Sequence, residues 1–241
     1  MNFRLIALVT LLLLPSVALA QDVSLSFGDD GSITARTLQL IALITVLSLA
    51  PGLAIMVTCF PFLVTVLSIL RQGIGLQQSP PNMLIVSLAL FLTYFIMEPV
   101  FLQAWTQGLE PLTNEEITVE QAFSRTIDPF RVFMAGRLDV DTFAAMADLR
   151  PDTRGIELSP DAPLSVLVPS FMLSEISRAF QIGFLIFLPF LIIDLVAAAV
   201  LMSMGMMMVP PAIVSLPFKL AFFVVADGWS LIAGSLVRSY F

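Results

Sequence analysis

The sequence predicts an all-α fold: membrane-derived helical hairpins with a short-helix acidic middle domain. Three observations predict it. The apolar runs are too long for strands, prolines and glycines punctuate them, and most of the charge is gathered in one central stretch. A mean hydropathy of +0.98 and a hydrophobic content of 58% describe surfaces that meet lipid or other protein rather than water.

Taken in order, residues 1–20 have the layout of a signal peptide. Arg4 supplies the charged end, an apolar stretch follows, and Ala18 and Ala20 are the small residues before a cleavage point. Residues 21–37 read as a polar tail. Residues 38–104 read as a first helical hairpin, whose outgoing limb is interrupted by "APG" at 50–52 and by Pro61 and is therefore kinked or broken. The turn-rich link "RQGIGLQQSPPN" joins it to a clean apolar return limb. Residues 105–164 form a water-facing, periplasmic helical domain. Thr113 with Glu116 fits a capping box there, Asp128 before Pro129 a helix start, and Asp139 with Thr142 another. Residues 165–241 read as a second hairpin, turning at "SMGMMMVPPA". Both hairpins turn at a double proline, Pro80-Pro81 and Pro210-Pro211, and their return limbs end near Glu98 and Asp227, a faint sign of duplication.

Composition excludes several function classes. The chain has no histidine, so the commonest general base and metal ligand are missing. Cys59 is the only cysteine and lies in an apolar run, where packing is its natural role. A net charge of -7 argues against nucleic acid as a partner. "GWSLIAG" has Ile232 where a nucleophile elbow needs its last glycine, "GIG" lacks the third glycine of a dinucleotide loop, and "DVDT" lacks the glycine and terminal glutamate of a calcium loop. No catalysis, cofactor or metal is expected.

Two charges stand inside apolar runs, Asp194 in "PFLIIDLVAAAV" and Lys219 in "PFKLAFFVV". On insertion scales a charge at the centre of a membrane helix costs roughly 2.5 to 3.5 kcal/mol, so each needs a partner. Folding the two limbs back about Met206 and Met207 puts residues 194 and 219 level, about 19 Å from the tip at 1.5 Å per residue. The pairing is open between one chain and two. Glu175 lies one helical turn from Arg178, and is also a candidate partner for Lys219 of a neighbouring subunit. Pro189 and Pro217, one per limb, free backbone carbonyls that prefer surrounding protein to bare hydrocarbon. Signal cleavage orients the mature N-terminus, the acidic middle and the C-terminus to the periplasmic side.

The segments "SPPNMLIVSLALFLTYFIMEPV", "SEISRAFQIGFLIFLPFLIIDLVAAAVLMSMGMMMVPP" and "LPFKLAFFVVADGWSLIAGSL" resemble the FliP family of flagellar export-gate proteins, which has counterparts in virulence injectisomes. One departure is Pro61-Phe62 in "TCFPFLVTVL", where the family is expected to carry threonine and arginine. The resemblance implies a pore-forming subunit of the type III export gate in the bacterial inner membrane, within the flagellar basal body. It also implies a pentamer of like subunits, FliQ-like and FliR-like partners, other membrane proteins of the export apparatus, and unfolded export substrates as cargo. In the family picture the hairpins stack largely above the bilayer plane. Met206, Met207 and Met208 match the family's methionine gasket, and thioethers on three rotatable bonds suit a deformable seal. The competing class is a small secondary transporter with Asp194 and Lys219 as its coupling site.

Overall fold

The computed structural model describes residues 33–76, 79–206 and 208–241. The expected signal peptide, most of the polar tail and Met207 lie outside the described residues. The chain divides into two units, Met1–Ser48 and Leu49–Phe241. Helix is the regular structure throughout, and no strand occurs among the described residues.

Helix α1, Ile33–Met56, continues through Pro51, so "APG" does not end it. A proline removes one hydrogen bond of a helix, and a continuing apolar run tolerates that loss. The break comes at residues 57–59, and Pro61 then occupies the first turn of α2, Phe60–Ile74. There its missing N–H is no loss, because the first-turn N–H groups have no partner within the helix. Expectation and structure agree that this limb is broken, but the break sits at the second proline.

The short helix α2 is the centre of the molecule's main core. Phe62, Leu63, Val66, Leu67, Leu70 and Ile74 recur at helical spacing and are buried. They pack with Ile85, Ala89, Leu92, Ile96 and Met97, and with Ala179, Phe190, Phe223 and Leu236 from three later helices. Cys59 belongs to this cluster, and burial pushes its thiol up to about 12, so it packs as a neutral group. Gly75, left-handed at φ 89°, ends α2 and donates its N–H to the Gln72 carbonyl at 3.0 Å.

Helix α3, Asn82–Ala104, does not stop near Glu98. It runs through Pro99, a wide π-type turn at Trp105–Leu109 and the single turn α4, Glu110–Thr113. Thr113 therefore closes this helix instead of opening the next. The capping box belongs to Thr118 and Gln121, which exchange hydrogen bonds at the start of α5, Val119–Arg137. Pro129 lies inside α5, so Asp128 opens no helix. Asp139 does cap α6, Val140–Asp148, accepting from the Thr142 N–H and the Thr142 hydroxyl, both at 2.8 Å.

Helix α7, Leu164–Ser203, is 40 residues long and passes through Pro169 and Pro189. Its length from Leu164 to Phe190 serves two cores. Val166, Leu167 and Phe171 join Met134, Leu138, Phe143 and Ala147 in a second cluster that seats the acidic middle, while Ala179 and Phe190 face α2. The return limb is two helices, α8, Pro211–Val225, and α9, Gly228–Arg238, bent by 61° at left-handed Asp227. By length and composition Thr37–Met56, Asn82–Thr113 and Leu164–Ser203 are apolar enough to cross a membrane, as is the bent pair α8–α9 taken as one span.

The wide turn after α3 exists where Gly108 meets α5. A Cβ built there would fall 2.1 Å from Thr126 Oγ1, 2.8 Å from Thr126 N and 3.0 Å from the Ala122 carbonyl oxygen. Gly108→Ala must push backbone from backbone, and we expect a loss of about 1 to 3 kcal/mol, read as a lowered thermal midpoint of the detergent-solubilised protein. At the start of α6, the Thr142 N–H and hydroxyl hold the Asp139 carboxyl below its ordinary range. Its contribution is present above about pH 4 and lost as pH falls through the lowered native value. An acid titration of unfolding should show that loss in the parent and not in Asp139→Asn.

Candidate functional site: two buried ion clusters and a methionine tip

Residues 194 and 219 meet within one chain. Lys219, only 5% exposed, sets its Nζ 2.6 Å from Asp194 Oδ2 and donates to the Gly73 carbonyl at 3.1 Å. Asp194 accepts a second bond, at 2.6 Å, from the buried Ser215 hydroxyl one turn before Lys219. Three elements are thereby tied at one ammonium: the C-terminal turn of α2, the outer half of α7, and α8. The end of α2 is itself an acceptor site, since its last carbonyls lack helical partners and carry the negative end of the macrodipole. Gly73 allows the approach. A Cβ on it would stand 3.0 Å from the Phe190 ring and 3.1 Å from the Phe187 ring.

The pair is not sealed on both sides. The Asp194 side chain keeps 33% of its surface exposed and opens on a cavity of about 350 Å³ that Arg71, Gln72, Gly75, Leu76 and Ala212 also line. Arg71 is held at the rim by donating to the Asn82 side chain and, at 3.4 Å, to the Pro80 carbonyl.

Within one chain Glu175 has partners other than Lys219. It is fully buried, with Arg178 3.4 Å away on its own helix, as the spacing predicts, and Arg137 of α5 3.3 Å away. Tyr240 donates its hydroxyl to the second carboxylate oxygen. Burial first, and then the Glu175 charge, raises the Tyr240 hydroxyl pKa, so the phenol stays protonated and remains a donor. The Arg137 guanidinium also lies 3.9 Å from the centre of the Tyr240 ring and donates to the Ser239 carbonyl at 2.7 Å. Phe62 meets Tyr240 edge-on at 5.6 Å and Phe133 stacks on it at 6.1 Å. Pro61 and Phe62, the departure noted above, thus take a helix first turn and a core position beside this cluster. Spacing along the sequence carries no signal for Arg137 or Tyr240, which reach Glu175 only through the tertiary fold.

The tip between α7 and α8 is shaped by its glycine. Left-handed Gly205 donates to the Met202 carbonyl and Met206 donates to that of Leu201, at 3.1 and 3.0 Å, the paired bonds of a Schellman stop. Pro210 and Pro211 then start α8. Among the predicted gasket residues Met206 is 43% and Met208 97% exposed, and Met207 falls outside the described residues. Met202 and Met204 are also exposed. Among the described residues no group of histidine, cysteine and carboxylate side chains gathers as metal ligands would.

Lys219→Met removes the counter-ion of Asp194 and the cap of α2 together. We expect a loss of about 3 kcal/mol, the lower end for a broken buried pair because Asp194 is partly wet. Adding Asp194→Asn should recover more than half of it in a double-mutant cycle of thermal unfolding, whereas purely additive losses would show the two side chains to be energetically independent.

Compared with known proteins, residues 43–236 match the model of the FliP family. The chain is 48% identical over 238 residues to the flagellar biosynthetic protein FliP of Caulobacter vibrioides, covering 98% of this chain and 88% of that protein. It is 46% identical over 240 residues to that of Agrobacterium fabrum, with 98% of each covered. With that of Bacillus subtilis it shares 44% over 213 residues, 88% of this chain and 96% of the other. Motif, fold and these matches along nearly the whole length agree: the chain belongs to the FliP family.

Proposed function

We propose that this chain is a pore-forming subunit of a flagellar type III protein-export gate and performs no chemistry of its own. Several copies, five in the arrangement the family resemblance implies, surround a path for unfolded export substrates. FliQ-like and FliR-like subunits complete the assembly in the inner membrane at the basal body. The mature N-terminus, the acidic middle and the C-terminus face the periplasm. Family membership supports the flagellar role, and three long apolar helices support a membrane-derived origin.

The observation that carries the pore reading is the methionine tip. Met204, Met206 and Met208 stand exposed on a turn whose backbone is tied down by its own hydrogen bonds and prolines. Nothing among the described residues covers them. In a ring of copies, thioether side chains meeting across an axis exclude water and ions, then part around a polypeptide because each has three rotatable bonds. The outer halves of α7 and α8 also leave an apolar groove of about 480 Å³ between them, lined by Ile192, Val196, Val200, Val214 and Phe218 among others. Neighbouring protein or lipid is its natural cover.

A second reading, a small secondary transporter, draws on the partly exposed Asp194 beside its cavity. The two readings differ in assembly and in leak. Replacing Met206, Met207 and Met208 by alanine should raise the small-ion conductance of the closed, purified gate in planar bilayers at least several-fold. Unchanged conductance in a correctly assembled particle would overturn the seal. Native mass spectrometry of the extracted protein giving only monomers or dimers would favour the transporter.

A further inference from the structure

The acidic middle carries a feature that the pore does not use. Between α6 and the run Gly155 to Leu158 lies a groove of about 540 Å³, its wall formed by Val140, Ala144 and Ala147 and its floor by the buried ring of Phe143. The opposite wall is backbone outside any helix, Gly155 to Leu158. Ile156 and Leu158 turn inward onto the second core cluster while Glu157 between them is exposed, the period-two alternation of a strand. Among the described residues no ladder pairs with this run. Among the described residues the N–H groups of Glu157 and Leu158 have no hydrogen-bond acceptor, and Ile156 bonds only back to Thr153, at 3.3 Å.

The rim is acidic. Asp148 and Glu157 line the groove, and most of the chain's 18 acidic residues lie in this same middle stretch. Nearby Arg150 is engaged with Asp152 at 2.8 Å, and exposed Arg154, although next to Gly155, does not line the groove. A run of period-two alternation with N–H groups unbonded among the described residues, an apolar trough beside it and carboxylates on its edge are the three parts of a site for strand addition. Main-chain bonds to residues 156–158 would supply affinity, alternate apolar side chains would fill the trough, and basic side chains on the other face would meet Asp148 and Glu157.

We infer that this groove docks an extended segment of another polypeptide in which apolar residues alternate with lysine or arginine. This goes beyond the pore reading and stands without it. The test is fluorescence anisotropy of a labelled Lys-Val alternating heptapeptide against the full chain in zwitterionic detergent, with empty micelles subtracted. Saturable binding is expected. It should weaken at least tenfold with Ala144→Trp, which fills the trough from an exposed position, and several-fold in the Asp148→Asn, Glu157→Gln variant or on raising the salt. A peptide N-methylated along its pairing edge, which perturbs nothing in the protein, should fail to bind. Three results would overturn the inference. They are equal binding of the N-methylated or a Glu-Val peptide, tighter binding of a helix-locked peptide of the same composition, and a change of oligomeric state with Ala144→Trp, which would assign the groove to a second copy.

Discussion

An ammonium group in a nearly waterless position is the constraint around which the rest of this fold is arranged. Lys219 cannot be left unpaired at 5% exposure, and one carboxylate satisfies only part of its three-donor head. The remainder is met by a backbone carbonyl, and free carbonyls are found at the end of a helix. Hence α2 ends where it does, with a side-chain-free Gly73 admitting the Phe187 and Phe190 rings on one side and offering its oxygen to Lys219 on the other. Ser215 completes Asp194 from the same helix face as Lys219. The arrangement positions both limbs of the second hairpin against α2, so the hairpin is registered by polar bonds and filled in by apolar contact.

Glu175 does the corresponding work at the other end of α2. Its carboxylate gathers Arg137, Arg178 and Tyr240, so α5, α7 and the residues following α9 converge there, with Phe62 at the start of α2 closing the aromatic side. Between the two ion clusters runs an apolar face of Leu63, Val66, Leu67 and Leu70. A helix of 15 residues, too short to span a bilayer at 1.5 Å per residue, thus organises longer helices that are long enough.

Much of this was legible in the sequence, and the reason is geometric. An antiparallel hairpin makes level any two residues equidistant from its turn, so Asp194 and Lys219 were placed together by counting alone. Glu175 and Arg178 were legible because a helix repeats every turn. Arg137 and Tyr240 were not, being separated from Glu175 by stretches whose path only tertiary packing decides. The misplaced caps have a different cause. Thr113-x-x-Glu116 and Thr118-x-x-Gln121 both fit the capping-box pattern, and the choice was made by α3 running on through its wide turn to Thr113, a continuation that depends on Gly108 fitting against α5. Pro129 and Pro51 read as boundaries and became interior residues: Pro129 is buried in the packing of α5, whereas around exposed Pro51 the helix goes on with one hydrogen bond fewer.

The continuity of α7 has a mechanical consequence. A helix of 40 residues is a rod of about 60 Å. Both cores and the Glu175 cluster hold it from Val166 to Phe190, and Lys219 ties it again at Asp194. Only about 14 Å of the rod extends past that last tie. So short an overhang is stiff, and the exposed turn at its end takes its position from the buried ions and not from contacts of its own.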